Sequence, residues 1–336
     1  MRGFLFPILM HCYTRCFGTN GRSLSTSPLC LVADMMKKRR LWSALATLSL
    51  MACVRVVEVD LPEEKPKVVV VGHFTSEEPL RVYLSLSQPL NATTLPPTLS
   101  DGDVTLAANG IFLNRLELKP VPDGRLFWHS RDALRTGVRY TITARFPGFE
   151  TVQASDTIPV GVSRVSMKVK TDSIRILEDT SGLRVMRVPI SIRVDDLPTA
   201  NRYFAFGLQH ELRKNQSPPT NTSEFRLSGF LANGRTLALT YGTPEGIYML
   251  NENYWNDARR TLDIEVVIPY RPAEERPVRL LLEWRTLSEA YYRYHLSLAT
   301  QGSPLSEPNA LFNNVQGGYG NFSGFARLRL SANLPE

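Results

Sequence analysis

Apolar and polar residues alternate one by one along several stretches of this chain, and this pattern most constrains its fold. Successive side chains of a β-strand point to opposite faces, so alternation places the apolar groups on one buried face. The pattern therefore predicts a mainly all-β protein. The clearest stretches have their apolar residues at Leu80, Val82, Leu84 and Leu86, at Val138, Tyr140, Ile142, Ala144 and Phe146, at Val188, Ile190, Ile192 and Val194, and at Ala326, Leu328 and Leu330.

Turn signals separate the strands at short intervals. Asn109-Gly110 and Asp123-Gly124 are typical of tight hairpin turns. The strand-like runs around them, 103–108, 111–118 and 125–130, predict a three-stranded meander. Short strands at this spacing favour β-sandwiches over a parallel α/β sheet.

The chain has 336 residues, which favours two domains. The segment 137–152 resembles the closing hairpin of immunoglobulin-like and transthyretin-like modules. We therefore expect an N-terminal immunoglobulin- or transthyretin-like β-sandwich over 67–160, followed by a larger β-sandwich domain over 161–336. One helix is expected in the second domain, over about 287–300, because Leu287, Tyr291, Tyr294 and Leu298 have helical spacing.

The region before Cys53 has the features of a lipoprotein signal peptide. Basic residues at 37–40 precede an uncharged stretch at 41–52, and small Ala52 comes directly before the cysteine. As a helix this stretch covers about 18 Å, too short for a bilayer core of about 30 Å. Leu50-Met51-Ala52-Cys53 resembles a lipobox, so we expect residues 35–52 to be removed and Cys53 to carry a covalent lipid. An ordinary secretory signal remains the alternative.

Two segments flank this signal. Residues 1–34 contain no periodic pattern, and Met35 and Met36 are start codons beyond them, so we interpret 1–34 as a mis-assigned upstream extension. Residues 53–66 comprise the lipidated cysteine and a short acidic tether that Pro62 and Pro66 keep extended.

Charge and cysteine content exclude several classes of protein. The net charge of +7 suggests nucleic-acid binding. However, residues 1–52 hold seven of the 39 basic residues and one of the 32 acidic ones, so the remainder has 32 and 31. No basic stripe of the kind that binds phosphate is left, and we expect no nucleic-acid partner. All four cysteines lie at or before Cys53, which excludes disulfides, cysteine nucleophiles and Cys-ligated zinc from the body.

The body carries no recognisable catalytic or metal motif. His73, His129, His210 and His295 lie far apart in sequence, and none has a metal-ligand spacing. There is no P-loop, nucleophile elbow or dinucleotide fingerprint. We therefore predict no enzyme activity, no catalytic residue, no metal and no cofactor other than the lipid.

Two regions are candidates for ligand or partner contact. In the loop 251–257, Tyr254 and Trp255 are surrounded by oxygen-bearing side chains such as Asp257, a combination that suits sugar stacking. A polar turn at the sandwich edge is the alternative. In the glycine- and aromatic-rich stretch 313–325, Tyr319 and Phe322 contact either a partner or another segment of the same chain.

The sequence resembles a known family at three points. These are the lipobox followed by V-E-V-D-L-P, the strand K-V-V-V-V-G at 67–72, and the closing S-E-P-N…N-N-V-Q-G-G-Y-G-N-F. They are similar to an outer-membrane lipoprotein family of unknown function from Bacteroidetes, of the DUF4249 type, over residues 36–336. Members are usually encoded beside TonB-dependent receptors.

This resemblance implies an accessory lipoprotein of a TonB-dependent outer-membrane transporter that helps capture a small-molecule or glycan nutrient. It also implies an outer-membrane location, on either the periplasmic or the external face. Two alternatives stay open: a structural or adhesive cell-surface protein, and an unrecognised hydrolase acting on glycans or peptides.

Overall fold

The computed structural model describes residues 65–89, 94, 96–178, 181–196, 203–215, 223–232, 239–242, 246–250, 261–299 and 310–335. Their elements are strands, with one 3-10 turn at Thr171–Ser173 and one helix, α1, at Glu289–Ala299. The predicted all-β fold is confirmed, as is the helix expected near 287–300. Among these residues, no helix has the length and hydropathy needed to cross a bilayer.

The alternating sequence produces strands with one buried face, as expected. In β1 (Val68–Phe74) every second residue is buried, and in β11 (Arg184–Val194) the residues from Met186 to Val194 follow the same rule. Burial of the apolar face removes hydrocarbon from water, which contributes about 25 cal/mol per Å².

The largest sheet, here called the long sheet, contains ten strands. Its path is β15-β16-β12-β18-β20-β1-β2-β6-β5, and β13 pairs with β12 beside β16. Besides β1, its members are β2 (Arg81–Leu86), β5 (Glu117–Pro120), β6 (Leu126–His129), β12 (Phe204–Lys214), β13 (Ser223–Leu227), β15 (Leu239–Gly242), β16 (Ile247–Leu250), β18 (Glu275–Leu287) and β20 (Tyr319–Asn333).

Two smaller sheets of five strands each pack against the long sheet. The first small sheet has the order β19-β8-β7-β3-β4, and the second has the order β10-β11-β17-β14 with β9 beside β11. The first consists of β3 (Asp103–Ala108), β4 (Ile111–Arg115), β7 (Arg139–Arg145), β8 (Val152–Thr157) and β19 (Val315–Gln316). The second consists of β9 (Val165–Val169), β10 (Arg175–Glu178), β11, β14 (Gly229–Ala232) and β17 (Thr261–Tyr270).

Each small sheet forms one hydrophobic core with a different part of the long sheet. The first core joins the first small sheet to β1, β2 and β6 and includes Phe74, Leu84, Ile142 and Val152. The second core joins the second small sheet to β12 and β18 and includes Ile190, Ile264, Phe206 and Trp284. Both are β-sandwich cores.

Strand β20 links the two cores. Its residues 319–324 pair in parallel with β1, and its residues 325–333 pair antiparallel with β18. Phe322 and Ala326 belong to the first core, whereas Leu328 and Leu330 pack against the second. The predicted division near residue 160 thus separates two cores that share one strand.

The glycine-rich motif before and within β20 is what allows this pairing. Gly320 has a φ of +117°, and a Cβ there would overlap the carbonyl oxygen of Val70. A Cβ at Gly318 would likewise overlap the carbonyl oxygen of Val68. Asn314 also holds β20 in place. Its side chain accepts a hydrogen bond from the Phe322 N–H at 3.0 Å and donates one to the Phe322 C=O at 2.8 Å. The motif therefore has a structural role in closing the first sandwich.

The predicted meander over 103–130 is wrong in one respect. Strands β3 and β4 form the expected hairpin through Asn109 and Gly110, which both have positive φ. At Leu116, however, the chain leaves the first small sheet, and β5 pairs with β6 in the long sheet. Leu116 is buried in the first core. Burial of one apolar residue between the two sheets explains why an apparently continuous strand divides there.

We expect Gly320→Ala to destabilise the protein by about 3 kcal/mol or more, because it combines a strained φ with a backbone clash. Gly229→Ala is the matched control, since a Cβ at Gly229 meets nothing within 4 Å. Urea unfolding followed by circular dichroism measures both. Equal stabilities of the two variants would contradict the role given to Gly320.

His210 is buried on the core side of β12 and bonds the Ser228 hydroxyl at 2.8 Å. Burial, followed by the nearby Arg226 guanidinium, lowers the pKa of His210 from 6.5 to about 4. As the pH falls below 6.5, the unfolded chain therefore gains a proton that the folded protein does not accept.

We expect this histidine to reduce the free energy of unfolding by about 1.4 kcal/mol per pH unit between pH 6.5 and 4. His210→Gln should remove that part of the slope when unfolding is measured at a series of pH values. His129→Gln is the comparison: burial, followed by the charges of Arg81 and Lys119, lowers the pKa of this partly buried histidine in the same direction, so the variant should remove a smaller part of the slope. A slope that is unchanged in His210→Gln would overturn the assignment.

Candidate functional site

The face of the long sheet opposite the second core carries an ordered set of polar side chains. Residues paired across adjacent strands point to the same side of a sheet. The registers of β12, β18 and β20 therefore place their outward residues in four rows. We call this surface the outer face; its rows are Ala205–Arg285–Arg327, Gly207–Glu283–Arg329, Gln209–Leu281–Ser331 and Glu211–Arg279–Asn333.

Helix α1 covers one end of the outer face. Ser288 begins the helix, since its hydroxyl accepts a hydrogen bond from the Tyr291 N–H at 3.1 Å, as N-cap residues do. Tyr291 and Tyr292 then pack on Ala205, Leu287 and Phe325 in a third apolar cluster. Beyond this helix the face opens to solvent, where Gln209, Arg329, Ser331 and Asn333 are exposed.

Arginines dominate the charge of the outer face. Glu283 is shared by three of them: it accepts from Arg285 at 2.7 Å and Arg329 at 3.4 Å, and Arg327 lies 3.9 Å away. Glu211 pairs with Arg279 at 2.7 Å. Hydrogen bonds to Ser223 and Arg279 hold the pKa of Glu211 below its usual value, so this carboxyl is ionised at neutral pH.

Arg327 is anchored from the side of β1. Its side chain is 7% exposed and forms ion pairs with Glu77 at 2.9 Å and Glu78 at 2.8 Å. The hydrogen bond from Arg327 lowers the pKa of Glu78 below its usual value. The Arg327 guanidinium is therefore fixed in place in the first row of the outer face.

Two depressions lie on this face. The nearer one, about 200 Å³, is bounded by Gly207, Leu227, Ile247, Leu281 and Arg329, among others. The absence of a side chain at Gly207 leaves room in this depression, because a Cβ there would lie only 2.5 Å from the Ile247 side chain.

The farther depression, about 440 Å³, lies at the end of β20 between Glu211, Arg213, Arg276, Arg279 and Leu334. The register between β12 and β18 shifts there by one residue, so Val278 is left without a direct partner on β12. Bulges of this kind bend a strand and redirect its side chains.

A group of buried and half-buried histidine and tyrosine side chains lies between α1 and β1. The rings of His73 and His295 are 5.1 Å apart, and Tyr291 is 5.0 Å from His73. The His73 Nδ1 is 3.0 Å from the Ser323 hydroxyl. Burial, followed by the charges of His295 and Arg285, lowers the pKa of His73 to about 3, so the ring is neutral. The sequence pattern does not reveal this pair, because the two residues are 222 positions apart.

The structure places the predicted contact residues as follows. Tyr319 is 36% exposed and lies where β20 begins, with the Lys67 amino group 4.9 Å from its ring. Phe322 is fully buried against Phe74, so the structure assigns it to the first core and not to a docking surface. Cys53, Tyr254, Trp255 and Asp257 lie outside the described residues.

The outer face was not among the sites predicted from the sequence. A signal was present, because the polar positions of R-L-L-L-E-W-R at 279–285 and of A-R-L-R-L at 326–330 are mostly arginines. The registers that bring these arginines into rows depend on long-range pairing, which the sequence pattern does not show.

In the part of the chain that the structure describes, no three His, Asp or Glu side chains are grouped so that they could hold a metal ion. The residues of the outer face instead suit the binding of carboxylate or other anionic groups, because guanidinium groups form paired hydrogen bonds with them.

Comparison with known proteins gives the family but no activity. No curated protein matches the sequence. Among solved structures, the partial N-terminal region of an enterococcal surface protein is similar over 67% of this chain and 92% of its own, at 8% identity and a TM-score of 0.14, which is too low to support an argument. The family model described as "Domain of unknown function (DUF4249)" matches residues 54–330. The chain therefore belongs to this family.

Proposed function

We propose that this protein is a lipid-anchored accessory protein of a TonB-dependent outer-membrane transporter, and that it acts by binding and not by catalysis. The lipobox-like segment that ends at Cys53 supports the anchor. The family resemblance described above supports the transporter. The open outer face supports binding as the mode of action.

The course of β20 is the observation that carries the proposal. The strand begins with Tyr319, beside Lys67, where the tether enters the body. It ends with Asn333, in the farthest row of the outer face. Since a strand advances about 3.3 Å per residue, the 14 steps between the first and last of its 15 residues separate these two points by about 46 Å. The outer face thus lies towards the end of β20 that is remote from Lys67, and its exposed part is accessible to a partner.

We expect Cys53→Ser to release the protein from the membrane fraction, because two or more acyl chains are needed for stable anchoring. Membrane fractionation and mass spectrometry of the mature amino terminus measure this. Cys30→Ser, the same chemical change upstream, is the control and should leave both results unchanged. Membrane retention of Cys53→Ser, or a mature chain that still carries residues 1–34, would contradict the anchor.

The transporter partnership is tested by cross-linking in the native membrane. A photoreactive residue at Gln209, on the exposed part of the outer face, should capture a TonB-dependent receptor that mass spectrometry identifies. The same residue at Asp123, in the exposed turn between β5 and β6, is the matched control. Capture of a receptor at neither position, or equally at both, would count against this role for the outer face.

A further inference from the structure

We propose that the outer face binds an acidic polypeptide segment of a partner protein, which lies along the direction of β12, β18 and β20 with its carboxylates on the arginines. This inference deepens the proposed function, because it names the chemistry of the partner at the same site. It rests on the charge, dimensions and apolar lining of the face.

The charge of the outer face favours an acidic partner. The outer face and the farther depression together carry six arginines against two carboxylates, Glu211 and Glu283. Glu77 and Glu78 form ion pairs with Arg327 at the margin, and the charge of Arg329 also acts on Glu78. Arg213 is exposed and forms no ion pair with any residue that the structure describes. The six are Arg213, Arg276, Arg279, Arg285, Arg327 and Arg329.

Three arginines share the carboxylate of Glu283, which leaves them incompletely paired. A single carboxylate has two oxygens, so it cannot form a two-fold hydrogen bond with each of three guanidinium groups at once. Of the two hydrogen bonds that Glu283 accepts, the one from Arg329 is the weaker, at 3.4 Å, and the Arg329 side chain is 59% exposed. The Arg329 guanidinium is therefore available to a second carboxylate.

The dimensions of the face favour a polypeptide over a small anion. Successive rows are two residues apart along each strand, or about 7 Å, so the four rows and the adjoining Arg213–Arg276 pair extend over about 27 Å. A free phosphate or acetate would occupy one row only. An extended peptide, by contrast, repeats its side chains on one face every two residues, at the spacing of the rows.

The apolar lining favours a polypeptide over a nucleic acid or other uniform polyanion. Leu281, Leu227 and Ile247 line the nearer depression, and Val278 and Leu334 line the farther one. Apolar side chains of a peptide can fill these depressions between its carboxylates. A phosphate backbone has no such groups and would meet the carboxylate of Glu283 in the nearer depression and that of Glu211 in the farther one.

The test uses the purified body without its lipid, so that its outcome is independent of the anchor and of the receptor. The probe is a short fluorescent peptide of alternating glutamate and leucine, and its binding is measured by anisotropy at low and at physiological salt. A peptide with glutamine in place of glutamate is the control for charge. We expect saturable binding of the glutamate peptide, weakened by salt as screening increases.

The variants test the location. Arg213→Gln combined with Arg329→Gln should weaken binding roughly tenfold, since each exposed pair is worth up to about 1 kcal/mol. Arg131→Gln combined with Arg145→Gln makes the same change in net charge at exposed arginines elsewhere, and it should bind as the unmodified protein does. Thermal unfolding verifies that both double variants remain folded.

Charge reversal gives an independent result. Arg213→Glu combined with Arg329→Glu should lose the glutamate peptide and gain binding of a lysine–leucine peptide.

Three outcomes would overturn the proposal: no binding of the glutamate peptide, equal weakening by the control pair, or displacement of the peptide by inorganic phosphate or heparin at lower concentration than by unlabelled peptide. The last result would assign the face to phosphates or polyanions. If the peptide binds as expected but no receptor is captured in the membrane, the proposed transporter partnership fails while this inference stands.

Discussion

The pairing of the last long strand with the first is the contact on which the rest of this structure depends. Strand β20 reaches β1 only because Gly318 and Gly320 have no side chains where the carbonyl oxygens of Val68 and Val70 approach. The parallel ladder that results joins segments about 250 residues apart. It also brings Val315, Phe322 and Ala326 into the first core. Until this strand is in place, the first sandwich lacks part of its core, although most of that core comes from residues 68–158.

The sequence predicted which segments form strands better than it predicted how these strands are arranged in sheets. Period-two alternation is a local property, so it identified β2, β7, β11 and β20, and helical spacing identified α1. Leu116 shows the limit: its neighbours alternate like one strand, yet its burial between two sheets divides that strand into β4 and β5. Which sheet a strand joins is decided by packing partners far away in sequence, and alternation contains no information about them.

The outer face illustrates this limit for function. Each arginine of β18 and β20 occupies an ordinary solvent position of an amphipathic strand, where a charged residue is usual. These charges form rows only because the register between β18 and β20 places Glu283 opposite Arg329 and Arg279 opposite Asn333. The two histidines, His73 and His295, likewise come together only in the folded protein, because β1 and α1 lie far apart in the sequence. By contrast, the motif 313–325 was visible in the sequence, and the structure shows that its residues Gly318, Gly320 and Phe322 serve the fold.

The arginine rows contribute little to the stability of the fold, which makes their arrangement more informative about binding. Exposed ion pairs typically contribute about 0–1 kcal/mol, and a carboxylate shared by three guanidinium groups gains less per pair than three separate carboxylates would. Arg327 differs, because its buried side chain is held by Glu77 and Glu78 and fixes the start of the row. Arg329, by contrast, is 59% exposed and has a hydrogen bond of 3.4 Å to Glu283, and Arg213 is exposed and has no ion pair with a described residue. The outer face thus has a fixed guanidinium group near α1, that of Arg327, and two exposed ones, those of Arg329 and Arg213, that an incoming anion can bind.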